Sequence, residues 1–172
     1  MGEAKVGQEF ITHEFDEAIA VQRTIVAAEE QLSRSHPFAA AKTALKASLK
    51  EDRQYLTQLE KLGREHGATG KAEEVAEGLQ QLMQETAQKA SEAESEAYEA
   101  HAVLLNLKRK QQDSAAAMLK IARSRKDPKM RDAALEFERG TRDSAKALSS
   151  QLAAFAVKIA GTGPARGAQP SR

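Results

Sequence analysis

Apolar residues recur at alternating four- and three-residue steps through most of this chain, and that spacing leaves little choice of fold. In the first segment Ile11, Phe15, Ala18, Gln22, Ile25, Glu29 and Leu32 fall on one such line. A seam of this period places its residues on one face of an α-helix. No stretch alternates with period two, so no strand is expected. The first helix is predicted from about Gly7 to Ser33, with Gln22 and Glu29 as polar members of its seam.

Pro37 interrupts in RSHPF and suits the first position of a second helix, predicted over Pro37 to Glu65. Its seam reads Phe38, Ala41, Leu45, Leu49, Asp52, Leu56, Leu59 and Leu62, with one acidic member, Asp52. Gly67 and Gly70 end it. A third, shorter helix starts near Lys71, with Val75, Leu79 and Leu82 or Met83 on one face.

No proline lies between Lys71 and Arg125, and one helix of that length would run about 80 Å, far more than its neighbours. The polar QETAQK followed by Ser91-x-x-Glu94, a capping-box pattern, predicts a break around Ala87 to Ser91. The helix from Ser91 to Arg125 then carries Glu92, Glu94, Glu96 and Glu99 at its start and Lys120, Arg123 and Arg125 at its end. The helix dipole favours that order. Asp127 caps the last helix, Pro128 opens it and Gly161 closes it. Its seam is Met130, Ala134, Phe137, Thr141, Ala145, Leu148, Leu152, Phe155 and Ile159, with Gly140 as a point of close approach.

The expectation is an all-α protein, an antiparallel up-down four-helix bundle with an extra short helix between the second and third long helices. Residues 1–161 form a single domain and the Gly/Pro/Arg-rich 162–172 a disordered tail. Charged residues make up 30% of the chain and hydrophobic residues 41%. No apolar run nears the roughly 20 residues that span a bilayer, so no membrane role is expected. With no secretory pattern at the start, the expected location is the cytoplasm. The chain has no Cys, which excludes thiol chemistry and Cys-ligated metals. A net charge of +1 gives no general argument for nucleic acid.

Chemistry in a helical bundle most often comes from inward carboxylates and Glu-x-x-His pairs around two metals. The residues three before His13, His36, His66 and His101 are Phe10, Ser33, Gly63 and Tyr98, so that motif is absent. Counted from the turn at Pro37, Gln22 and Asp52 lie at similar heights, whereas Glu29 lies much nearer the turn, about 10 Å from Asp52 along the axis, which is read as ruling out a metal shared by those two. The bland alternative for Gln22, Asp52 and His101 is a set of buried polar residues that fix register. GATGK lacks the preceding strand and the spacing of a phosphate loop. No Ser sits in a nucleophile elbow. Lys120, Arg123, Arg125, Lys126, Lys129 and Arg131 gather at one corner, with Lys108, Arg109 and Lys110 as a second basic cluster. No aromatic residues interleave them, which favours solvated helix ends over a nucleic-acid site.

The segment LKASLKEDRQYLTQLEKLGREHGATGKAEEVAEGLQQLMQET resembles the second helix, glycine loop and short helix of ferritin-like bundle proteins, especially the small bacterial stress-associated DUF892-type group. SEAYEAHAVLL resembles that group's next helix, where a Glu–His–Tyr–Glu cluster sits. The resemblance implies a four-helix core, frequent dimerisation and, in some members, a dinuclear iron or manganese centre. Its ligand positions map here only onto Glu51 or Asp52, Glu96 or Glu99, and His101. Glu51 is followed three residues on by Gln54 rather than His, and His101 follows Glu99 by two. The resemblance therefore implies a ferritin-like fold with an incomplete metal centre. The leading expectation is a non-enzymatic bundle protein that acts by self-association or on a protein partner, without cofactor. The alternative is an iron- or manganese-handling oxidoreductase built on Asp52, Glu94, Glu99 and His101.

Overall fold

The computed structural model of the chain describes residues 2–69 and 77–161. Among them are five α-helices and no strand: α1 (Gly2–Ser35), α2 (Ala39–Glu65), α3 (Glu77–Lys89), α4 (Glu94–Ser124) and α5 (Pro128–Gly161). The predicted start of the short helix at Lys71, its seam residue Val75 and the tail at 162–172 lie outside the described residues.

The seams are the core. Ile11, Phe15, Ala18, Gln22, Ile25, Glu29 and Leu32 are all buried on α1, and on α5 the line from Met130 to Phe155 is buried apart from Leu152, which is half-buried. On α2 only Leu56 falls short of full burial. On α3, Met83 points inward while Leu79 and Leu82 are exposed.

The ends of the helices follow local chemistry. His36 precedes a proline, which disfavours helical backbone there, so α1 stops at Ser35. Pro37 does not open α2 as expected; Phe38 is the N-cap residue, and its N–H is taken by His36 Nδ1 at 3.1 Å. The α2 C-terminus closes in a Schellman turn. Ala68 N–H donates to Gly63 O at 2.8 Å and Gly67 N–H to Arg64 O at 3.3 Å, with Gly67 at φ 87°. The same turn ends α4, where Asp127 N–H donates to Ala122 O at 2.9 Å, but Lys126 holds the left-handed position at φ 56°. The predicted break falls where expected, at Ala90–Glu92, yet the capping box is absent. Ala93, not Ser91, is the N-cap residue of α4, and no side chain caps it. Asp127 Oδ1 does cap α5, accepting from Met130 N–H at 2.9 Å. Gly140 is a true close approach, since a Cβ there would run into the Tyr55 hydroxyl on α2.

Residue pairings give the helix directions. Gln8 and Thr12 on α1 donate to His66 O, and further along Arg23 pairs with Glu60, so α1 and α2 are antiparallel. On α5, Phe137 meets Tyr55 and Ser144 meets Ser48, so α2 and α5 are antiparallel. Lys108 with Ser144 and His101 with Phe155 make α4 and α5 antiparallel too. Gln111 with Gln22 and His101 with His36 do the same for α4 and α1. It follows that α2 and α4 run parallel, so the expected simple alternation fails at that step. The chain leaves α2 beside the start of α1 and enters α4 beside its end. α3, packed on α1 and α4, is the return leg.

Candidate functional site: a buried lysine between two carboxylates

The polar intruders on the four long helices meet. Lys108 on α4 is 2% exposed, and its ammonium lies 2.7 Å from Glu29 Oε1 on α1 and 2.7 Å from Asp52 Oδ2 on α2. It also donates to Ser48 Oγ at 2.9 Å and, on α5, to Ser144 Oγ at 2.6 Å. An ammonium has three protons. Asp52, Ser48 and Ser144 receive aligned hydrogen bonds, and Glu29 is left with a close ionic contact whose oxygens accept no aligned bond.

Two glutamines complete the cluster. Gln22 Nε2 donates to Asp52 Oδ1 at 2.7 Å, and Gln111 Nε2 donates to Gln22 Oε1 at 3.0 Å and to Ala18 O at 2.9 Å. The expectation that Glu29 and Asp52 lie too far apart to share one cation is wrong. Two contacts of 2.7 Å on one nitrogen bound their oxygens to within 5.4 Å of each other. Gln22 and Glu29 are two turns apart on α1, but the Lys108 ammonium touches both Glu29 and Asp52, and axial rise alone ignores that side-chain reach.

One cation faces two carboxylates in a sealed interior, and the electrostatics follow from that count. Burial pushes the Glu29 carboxyl up to about 8; Lys108 draws it down and Asp52 adds to the rise. Burial alone would depress the Lys108 ammonium, but Glu29 and Asp52 outweigh it and hold it above its ordinary value. At neutral pH Glu29 therefore keeps its proton and the Lys108 ammonium stays charged.

Beside this cluster, a cleft of about 320 Å³ runs between α2 and α5, with Ser48 and Ser144 in its wall and Glu51 and Asp143 among its lining. Ser48 and Ser144 thus separate Lys108 from the cleft.

A second buried group sits two turns earlier on α4. His101 and His36 are both fully buried, with ring centroids 5.4 Å apart and edge to face, and Phe155 lies 5.0 Å from His101. Because His36 Nδ1 accepts the Phe38 N–H, its neutral ring carries hydrogen on Nε2. That nitrogen is a donor, not a metal ligand. His36 Nε2, both His101 nitrogens and Gln151 Oε1 are buried without a hydrogen-bond partner. Burial holds both imidazoles down to about 4, each helped by a neighbouring cationic or imidazole group.

The four candidate metal residues are not brought together. Asp52 belongs to the Lys108 cluster, His101 to the histidine pair, Glu94 is half-buried at the start of α4 and Glu99 is exposed. Among the described residues no group of three or more His, Asp or Glu is placed to hold a metal ion. Glu51 is exposed and Glu96 half-buried. Of the basic clusters, the second is split, with Lys108 in the core and Lys110 paired with Glu17 at 3.0 Å, whereas at the first corner Arg123, Lys126 and Arg131 line one cleft and Lys129 pairs with Glu65 at 2.6 Å. Lys108 and Gln111 were legible in principle. Ala97, His101, Leu104, Lys108, Gln111, Ala115, Met118 and Ala122 continue the four-three spacing on α4. No protein-family model, curated protein or solved structure matches the chain.

Proposed function

We propose that this chain is a ferritin-like four-helix bundle, with α3 as its crossover, that acts by self-association or by binding a protein partner rather than by metal catalysis. The observation that carries this reading is the position of Lys108. Its ammonium stands where Glu29 and Asp52 converge, the point at which a carboxylate-bridged bundle would hold its cation. A built-in cation occupies the point between the two carboxyls without a metal, and its hydrogen bonds reach α2 and α5 while its close contact with Glu29 reaches α1. The cluster therefore fixes the register of all four long helices, a role in keeping with buried polar groups.

Association could cover separate exposed apolar side chains. Leu79 and Leu82 stand exposed on α3, and Phe10 and Val157 on α1 and α5. Metal analysis of protein purified from iron- or manganese-supplemented cells, paired with sedimentation, tests both halves. The expected result is metal well below one ion per chain and a mass above the monomer or a captured protein partner. Stoichiometric metal with oxidase activity would overturn the reading.

A further inference from the structure

The histidine pair has an arrangement that the Lys108 cluster does not explain. His36 ends the α1 side of the first corner, Phe38 begins the α2 side, His101 comes from α4, and Phe155 and Gln151 come from α5. Phe155 contacts His36, Phe38 and His101, with centroids 5.2, 5.0 and 5.0 Å away, so one aromatic knot ties four elements together. No carboxylate is among the groups that bear on the two imidazoles. The charged groups that bear on it are Lys42 from α2 and Lys108 from α4, while Lys158 from α5 lies 3.8 Å over the Phe38 ring. Gln151 beside His101 is the one neighbour that favours the imidazolium. His36 Nε2 and both His101 nitrogens have no hydrogen-bond partner, and His36 Nδ1 already accepts the Phe38 N–H and cannot take a proton without losing it.

We propose that this end of the molecule is an acid-released latch, in which protonation of the His36–His101 pair parts the α1–α2 corner from α4 and from the C-terminal half of α5, uncovering Phe38 and Phe155. An imidazolium against a second imidazole, two lysines and phenyl rings is stabilised by water far better than by this interior. The released state is local. The Lys108 cluster lies two turns away, and its Glu29 is protonated rather than strained by acid. The surface uncovered is aromatic and apolar, suited to a second copy or an apolar probe.

Histidine side-chain NMR and hydrogen exchange on the intact chain between pH 7 and pH 4.5 test this. Both buried imidazoles should titrate well below their ordinary value. Amides near His36, His101 and Phe155 should lose protection by on the order of 10²-fold by pH 4.5, while those near Met130–Thr141 change little. His101→Leu, and separately His36→Asn, which keeps an acceptor for Phe38 N–H, should remove most of that acid response. The proposal is overturned by imidazoles titrating near 6.5, by uniform loss of protection, or by an unchanged acid response in both variants. If neither variant folds, the wild-type titration and exchange pattern decide the matter alone.

Discussion

Two buried polar groups sit two turns apart on α4 and could hardly be more different. Around Lys108, all three ammonium protons are matched and opposite charges meet at 2.7 Å. Around His101, whose ring packs edge to face on His36 and Phe155, both of its own nitrogens and His36 Nε2 are left unpaired. Both are equally shut off from water, so burial does not separate them. The difference is whether charge has been provided for. Where it has, ionisation holds the helices in register; where it has not, ionisation is what the fold must avoid.

The comparison is broken most severely by removing the ammonium. Lys108→Met leaves Asp52 and Glu29 without a cation, and chemical denaturation should register a loss of about 3–5 kcal/mol. Adding Glu29→Gln and Asp52→Asn to that variant should recover much of the loss, since no uncompensated charge then remains. A loss below 1 kcal/mol for the single change would mean that Lys108 does not carry the pair.

Stability against pH separates the two groups next. The histidines are depressed to about 4, so their contribution is present above 6.5 and is lost as pH falls toward 4. Glu29 is raised to about 8, so its contribution is present below 4.5 and is lost as pH climbs to 8. Each group contributes a slope of up to about 1.4 kcal/mol per pH unit. Between 6.5 and 8 only Glu29 acts, and between 4.5 and 6.5 the two histidines outweigh it. Denaturation midpoints should therefore peak near the crossover of these windows. Glu29→Gln should flatten the alkaline side and His101→Leu should soften the acidic side; a profile unchanged by either would refute the assignment.

Smaller effects sharpen the same contrast. Ser144→Ala removes one acceptor from Lys108 and should cost about 1 kcal/mol. His101→Leu at pH 7 should be neutral or stabilising within about 1 kcal/mol, because it deletes orphaned polar atoms rather than a bond. A polar residue that costs little to delete, set beside one that costs much, is the signature to look for.

Most of the architecture was legible because helical seams are written locally. Ile11 to Leu32 and Met130 to Phe155 needed only their spacing, and Gly140 only its lack of a side chain. The topology was not legible, since whether α3 returns the chain depends on contacts with α1 and α4 rather than on its own residues. Glu29 and Asp52 were visible as intruders, yet axial rise without side-chain reach placed them apart. Lys108 was hidden among Arg109 and Lys110, where a run of positive charge looks like a solvated face. Capping failed at Ser91 for a related reason: the pattern fits, but the turn places Ala93 at the cap.

The most direct test of the Lys108 account is NMR of the lysine side chains in isotopically labelled protein, with manganese added in steps. The prediction is one slowly exchanging ammonium signal, absent in Lys108→Met, that stays charged beyond the ordinary lysine range and is not broadened by the metal. A Lys108 signal that titrates at or below that range, or that is broadened by one equivalent of manganese, would contradict it.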